Sequence, residues 1–506
     1  MKSPTPIAEP RTFGRLGDGV ALVSGALIPL AFAPVGFAYL VFPLLAVWFE
    51  LVLRSDAARR ALLRGYLFGL GMFGVGCSWV FVSMYRFGDM DAFSSGALTL
   101  LLVMYLALFP ALFAYGLYRC AQRLSSVPIL VIVIAVLWGA VEWLRGWFLT
   151  GFPWLNIGYS QLETPLSGYA PLLGVYGLGL LLVLLAALLW AAWRVPRWAW
   201  LSLGLIAVLM GGGAGLQKVE WTAPAGAPLK VSLVQGNVDQ IRKWLPSELY
   251  PTVDLYTRLT RDLWGNDLVV WPETAMPLFL QELDVNPVWG EFVQEAREHG
   301  TDIITGVPVW EPESSRYYNA VLAMNERPSL YFKRHLVAFG EYVPFAQSFG
   351  WLFGFFDVPM TGFSAGPPGQ GTLHAAGVEL GASICFEIAF PEEIIDALPA
   401  ANLLVNLSND AWFGRSLAPH QHLQMAQMRA LETGRWVLRA TNTGISAIID
   451  DRGRLVATSP RDQVAVISEQ VQPRTGATPY TRYGNGIFLL LLIIGAGIAA
   501  VYVRRG

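Results

Sequence analysis

Charge is scarce in this chain. Only 14% of its 506 residues are Asp, Glu, Lys or Arg, where an ordinary soluble protein carries about 25%. The formal net charge is −2, and without a basic excess a nucleic-acid partner is disfavoured. Cysteine is scarcer still. Three residues, none in a Cys-x-x-Cys pair, exclude a disulfide scaffold and a thiolate metal cluster. No glycine-rich phosphate loop precedes a helix, so no cofactor and no metal is expected. What is abundant is apolar: 54% of residues are hydrophobic and the mean hydropathy is +0.46. That excludes a disordered chain and argues against a wholly soluble one. The length corresponds to roughly three domain equivalents at about 150 residues each.

The few charges are unevenly placed. About 21 of the 72 (35 basic, 37 acidic) lie before residue 218, so the chain reads as a membrane half followed by a more soluble half. A span needs roughly 20 mostly apolar residues. Stretches 18–34, 37–53, 62–84, 94–118, 127–144, 168–193 and 197–216 qualify, some of them short, and an eighth lies at 486–503. The first has no convincing cleavage site and runs through Pro34 into the next, unlike a cleaved signal. Positive charge sets the orientation. Lys2, Arg11, Arg15, Arg54, Arg59, Arg60, Arg64, Arg119, Arg123, Arg194, Arg197, Arg504 and Arg505 flank alternate span ends, whereas the other loops carry only Arg86 and Arg145. Both termini are then cytoplasmic. The expected organisation is a membrane domain over 1–217 with seven helices, an external (in a bacterium, periplasmic) domain over 218–485, and an eighth helix with a cytoplasmic tail over 486–506.

Beyond residue 228 the pattern alternates. Strands are expected at 231–234, 268–271, 302–307, 319–324, 329–337, 379–385, 402–407, 436–449 and 464–470, with helices at 247–264, 287–299 and 419–433. This predicts a layered α/β domain, its nearly continuous apolar strands covered on both faces. The run Gly211–Gly215 with Pro224 and Pro228 is expected to be the entry linker, and 473–486 the return. Three motifs fall at strand ends, where α/β folds place their sites. They are Trp271-Pro272-Glu273, Phe332-Lys333-Arg334-His335-Leu336 with Gly340-Glu341-Tyr342, and Ser383-Ile384-Cys385-Phe386-Glu387. Cys385 is the one cysteine outside the spans. It is either a buried core thiol or a reactive one. A nucleophilic cysteine needs a base or a cationic neighbour, and Glu273 and Lys333 are candidates for each.

Glu, Lys and Cys in that order and context resemble the nitrilase superfamily of carbon–nitrogen hydrolases. Leu336 to Pro344, Val234 to Asn237, Asn406 to Gly414 and Arg439 to Ser446 resemble its apolipoprotein N-acyltransferase branch, as do Leu30 to Pro34, Ser78 to Val80 and Glu142 to Gly146 in the membrane half. The resemblance covers nearly the whole chain. It implies eight transmembrane helices with an external α-β-β-α sandwich. It further implies acyl transfer from a phospholipid, expected to be phosphatidylethanolamine, to the amino-terminal cysteine of a diacylglyceryl lipoprotein at the bacterial inner membrane. Cys385 would be the nucleophile, Glu273 the acid and base, and Lys333 the oxyanion partner with the N–H of Phe386. Glu341 and Glu387 would position Lys333 or Glu273. Phe386 stands where the family often has Tyr, so a hydroxyl role there is lost while the N–H role survives.

Other residues have two readings each. Glu142 and Arg145, one turn apart among aromatics, are an interfacial ion pair or a headgroup contact. The aromatic stretch 345–363 is core or a mobile arm. Trp244 and Trp412 are core or substrate contacts, and the resemblance favours contact for Trp244. His420 and His422 read as structural or surface residues rather than metal ligands. The alternative functions are a membrane-tethered amidase or nitrilase using the same triad with water, and a transporter with an external binding domain. The scarcity of intramembrane charge and the lack of a repeat disfavour the transporter.

Overall fold

The computed structural model describes residues 13–283, 287–342 and 362–505. The chain divides into two compact units. One comprises the chain up to Phe81, Ala92–Val219 and Tyr483 onwards, and the other Val82–Asp91 with Glu220–Arg482.

The first unit is helical. Ala92–Ala121, Val127–Arg145, Pro165–Arg194 and Pro196–Leu216 are each long and apolar enough to cross a membrane. Ala58–Gly76 and Trp79–Phe87 form a bent pair at 49°, the second helix passing at Val82 into the residues of the other unit. Ala38–Leu53 and Gly486–Tyr502 are shorter apolar helices. The stretch expected to open the membrane domain forms a helix only over Gly14–Leu27, before Pro29 tightens the chain into a 3-10 turn. Among the described residues, length and composition thus give four candidate spans, or five if the bent pair is one, with the other expected segments short. The Gly211–Gly215 run is not a linker but lies inside helix Ala199–Leu216. Small residues let the helices approach closely. A Cβ on Gly25 would sit 1.9 Å from the Phe68 carbonyl, and one on Gly69 2.6 Å from the Ala107 Cα.

Among the described residues the second unit carries fourteen strands. They are β1 (Ala223–Pro224), β2 (Leu229–Gln235), β3 (Leu268–Val270), β4 (Asp302–Glu311), β5 (Arg316–Met324), β6 (Ser329–Phe332), β7 (Leu373–Ala375), β8 (Val378–Ile384), β9 (Leu403–Ser408), β10 (Val437–Thr441), β11 (Ala447–Ile449), β12 (Leu455–Thr458), β13 (Ala465–Val471) and β14 (Arg474–Thr475). Two six-stranded sheets run β13-β2-β3-β4-β5-β6 and β12-β11-β10-β9-β8-β7, and β1 pairs with β14. The pairs β2–β3, β3–β4, β8–β9 and β9–β10 are parallel. Parallel neighbours need crossovers. Helices Pro246–Arg261, Pro287–Glu298 and Ala418–Thr433 supply three of them.

One apolar cluster joins the facing sheets through Val231, Leu233 and Val270 on one side and Ile384, Val405 and Leu438 on the other. A second packs the outer face of the first sheet, with Trp271 and Ile303 against Tyr256 and Phe292 of its helices. The layers are helix, sheet, sheet, helix. Because β4–β5 and β5–β6 are antiparallel, β6 runs parallel to β3, and both deliver their following residues to the same end.

Two expected strands are shorter than the sequence suggests. β6 stops at Phe332 rather than 337: the Lys333 N–H still donates to the Asn319 carbonyl at 2.8 Å, but those of Arg334 and His335 turn to the Glu387 carboxylate at 2.6 and 3.1 Å. The run 436–449 splits into β10 and β11. Between them Ser446 donates from Oγ to Gln235 Oε1 at 2.8 Å, closing the turn.

Candidate active site

Three strand ends carry the candidate residues. Glu273 follows β3, Lys333 follows β6 and Cys385 follows β8. Lys333 Nζ lies 2.7 Å from Glu341 Oε1 and 3.7 Å from Glu273 Oε1. The same Glu273 oxygen accepts from Asn319 Nδ2 at 2.7 Å, and Glu341 Oε2 accepts the Val337 N–H at 2.8 Å. Glu273, Lys333 and Glu387 are buried, while Cys385 is a partly exposed free thiol.

The electrostatics follow from that burial. Desolvation raises the Glu273 carboxyl above its ordinary value, against the Lys333 charge and with help from Glu341. Burial disfavours the Lys333 cation, but the Glu341 and Glu273 charges outweigh it and hold the amine charged. The Cys385 thiol is pushed up to about 12 by burial and the Glu273 charge, against Lys333. At rest the sulfur is therefore a thiol beside a carboxyl of raised proton affinity, an arrangement that could transfer a proton and that does not favour a standing thiolate.

The backbone is strained at the same points. Cys385 has φ 51° and Thr274, next to Glu273, has φ 46°. Such left-handed conformations in non-glycine residues concentrate at functional sites. Glu387 braces the region. Its carboxylate accepts the N–H groups of Ile384 (2.7 Å), Arg334 (2.6 Å) and His335 (3.1 Å) and the Tyr331 hydroxyl at 3.1 Å. One side chain thus ties the residue before Cys385 to the residues after Lys333. The Phe386 ring packs edge-on to Phe390 at 5.1 Å and to His335 at 6.0 Å.

A buried polar layer lies behind the cysteine. His422 sits 3.0 Å from Asp410 Oδ1 through Nδ1 and 3.1 Å from the Cys385 carbonyl through Nε2. Arg439 pairs with Asp410 at 2.9 Å. Burial would raise the Asp410 carboxyl, yet Arg439 and His422 hold it well below the usual range. His422 is thus buried beneath Cys385, whereas His420 is bonded to Arg461 at 3.3 Å.

The other expected site residues are spread out. Trp244 is 37% exposed on the loop after β2. Trp412 faces the Phe87 ring at 6.1 Å, and its carbonyl accepts from Ser83 at 2.7 Å. Glu142 and Arg145 belong to the helical unit, paired at 3.6 Å and buried. The aromatic stretch 345–363 lies outside the described residues, apart from its last two positions. Sequence reasoning missed Lys243. It is buried beside Glu273, with Nζ 2.7 Å from Thr274 Oγ1 and 3.4 Å from the Glu273 carbonyl. Its only sequence signal was adjacency to Trp244. Asn319 was hidden inside a strand.

Comparison with known proteins bears on both units. The family described as "Apolipoprotein N-acyltransferase N-terminal domain" matches residues 24–188, and "Carbon-nitrogen hydrolase" matches residues 230–480. The chain is 48% identical over 469 residues to the apolipoprotein N-acyltransferase of Methylococcus capsulatus, covering 92% of each. It is 43% identical over 499 residues to that of Nitrosomonas europaea, covering 96% of this chain and 97% of the relative. With that of Azotobacter vinelandii the identity is 44% over 488 residues, 94% of each.

Proposed function

The chain belongs to the apolipoprotein N-acyltransferase family, and from that premise we propose how its residues perform lipoprotein N-acylation. The protein is a bacterial membrane acyltransferase of the carbon–nitrogen hydrolase superfamily, with phospholipid and lipoprotein substrates. In our reading phosphatidylethanolamine is the donor. The protein sits in the inner membrane with eight spans, the membrane domain filling 1–217 and closing with 486–506, and the domain 218–485 works in the periplasm. The basic residues on alternate span ends support that orientation.

The observation that carries the mechanism is one buried lysine, Lys333, held by two carboxylates, Glu341 at 2.7 Å and Glu273 at 3.7 Å, with Cys385 under their combined charge. Cys385 Sγ attacks the phospholipid ester carbonyl while its proton passes to Glu273. The Sγ–C bond forms, and the oxyanion is met by Lys333 and the Phe386 N–H. The C–O bond then breaks, and protonated Glu273 returns the proton to the departing lysophospholipid oxygen. The thioester waits for the lipoprotein's amino-terminal amine. Nitrogen attacks, Glu273 takes a proton from it, the C–S bond breaks and the thiol is restored. Glu341 and Glu387 position Lys333, and Trp244 and Trp412 contact the lipid chains.

The test is intact mass after incubation with phosphatidylethanolamine and no acceptor. A fatty-acyl increment on the wild type, absent from Cys385→Ala and discharged by a diacylglyceryl-cysteine peptide, is expected. An intact lipid and no increment on either protein would overturn the mechanism. Discharge by water as fast as by peptide would favour hydrolysis.

A further inference from the structure

Lys243 is an unusual buried lysine. It is 1% exposed, and among the described residues no ion pair joins it to a carboxylate. Its Nζ instead donates to the hydroxyl of Thr274 at 2.7 Å and reaches the Glu273 carbonyl at 3.4 Å. Thr274 is a β-branched residue at φ 46°, a conformation that persists only where surrounding contacts over-determine it. The Lys243 bond is such a contact, one residue from the base.

The lysine is itself held from behind. Val238 donates to Asn442 Oδ1 at 3.0 Å and accepts from its Nδ2 at 2.8 Å, and Asn409 donates to Gln240. The Asp239 side chain accepts the N–H groups of Ile241 and Arg242 at 2.9 and 3.1 Å, and its carbonyl accepts that of Lys243 at 2.9 Å. Asn409 adjoins Asp410 of the layer behind Cys385. The loop 237–244 is thus fixed to the second sheet at one end, and at the other it enters the Glu273 turn through Lys243. The next residue along is the partly exposed Trp244, its ring 5.9 Å from the Lys243 ammonium.

We infer that Lys243 is a positioning residue for Glu273, clamping the strained Glu273–Thr274 turn and coupling the base to the loop that carries Trp244. This deepens the acyl-transfer reading and rests on it. The lysine also acts through charge. Glu273 faces Lys333, Glu341, Cys385 and Lys243, with the Asn319 amide. Removing the Lys243 cation leaves Glu273 holding its proton to higher pH. Burial depresses Lys243 itself to about 7 despite Glu273, so that cation is only partly retained near neutrality.

The test uses the full-length enzyme with phosphatidylethanolamine and follows the rate of acyl addition to Cys385. Lys243→Met should lower the maximal rate about 10- to 100-fold, the loss of a charged hydrogen bond. The half-saturating lipid concentration should stay unchanged, and the acidic limb of the pH profile should move upward. Thr274→Val keeps the cation and the side-chain shape, so it should slow acylation without moving the limb. It also carries the test if Lys243→Met fails to fold. Wild-type rates in both variants, or a change confined to half-saturation, would overturn the inference while the acyl-transfer reading stands. Absence of an adduct on the wild type would instead count against that reading. Iodoacetamide alkylation of Cys385 then decides: slowing in Lys243→Met supports the clamp, and an unchanged rate removes it.

Discussion

Two buried charge clusters, one in each unit, look alike in composition and differ in what their charges are bonded to. In the helical unit Arg145 donates to the carbonyls of Phe152 and Trp154 as well as pairing with Glu142 at 3.6 Å. Glu142 accepts the Ile157 N–H at 2.8 Å and Trp138 Nε1 at 3.2 Å. One cation meets one anion, and their remaining bonds go to the segment that follows helix Val127–Arg145 and to the Trp138 indole within it. In the sheet unit one cation, Lys333, meets two carboxylates beside a protonated thiol. There burial leaves a carboxyl with raised proton affinity next to a thiol that keeps its proton. Burying charge is costly in both places. The helical pair closes its hydrogen bonds on backbone groups and the Trp138 indole, and the sheet cluster keeps a protonated thiol near two carboxylates.

The comparison breaks first at Glu273 if it is wrong. Glu273→Gln keeps the Asn319 contact but removes the base, and the rate of acyl addition to Cys385 should fall about 10²- to 10⁴-fold. In the wild type the same raised carboxyl dictates the pH profile. The active form is the carboxylate, so activity should fall as pH drops through a value above the ordinary glutamate value of about 4.3. A limb at or below that value, measured by single-turnover acylation, would contradict the burial argument. Lys333→Met should cost about 10²- to 10³-fold by losing an oxyanion partner, read in the same assay.

Glu387 sharpens the contrast from the opposite side, because it is a buried carboxylate inside the site that behaves like the helical pair. Its two oxygens meet three backbone N–H groups and the Tyr331 hydroxyl. Glu387→Gln turns one acceptor into a donor facing an N–H. An orphaned buried donor costs about 1–3 kcal/mol, so a loss of about that size is expected in denaturant unfolding. Acylation should slow about tenfold, the shift expected when Lys333 and Cys385 lose a shared brace. A variant of full stability and full rate would remove the bracing role.

Much of this was legible in the sequence, and what was not has a physical cause. Glu273, Lys333 and Cys385 could be singled out as candidates because each ends an apolar strand, and strand ends gather in parallel α/β sheets. Lys243, Asn319 and His422 could not. Their partners lie 31, 46 and 37 residues away, and nothing local marks the pairing. His422 was read with His420 by spacing along a helix, yet packing puts one beneath Cys385 and the other beside Arg461. Hydropathy found apolar segments but not where helices stop. Pro29 and the break at Cys77–Ser78 shorten or bend two that composition alone counts as whole. The glycines of 211–215 suggested a linker, but helix Ala199–Leu216 runs through them and uses Gly213 for close approach, a Cβ there lying 2.2 Å from the Pro165 carbonyl.

The smallest effect on chemistry is expected at Arg145, where the comparison is most exposed. Arg145→Met leaves Glu142 buried without its cation and the Phe152 and Trp154 carbonyls without their donor. Breaking a buried pair from one side costs about 3–5 kcal/mol, so unfolding should move by that order. The sheet cluster, in contrast, draws its proton affinities from Glu273, Lys333, Glu341, Lys243 and local burial. Alkylation of Cys385 by iodoacetamide, taken per folded molecule, should therefore keep its wild-type rate and pH dependence. Should the alkylation profile move with Arg145→Met, the helical pair would be part of the reactive electrostatics, and the division between a brace and a proton-transfer site would fall. Should stability hold while turnover with phospholipid collapses, the pair would be a headgroup contact rather than a brace.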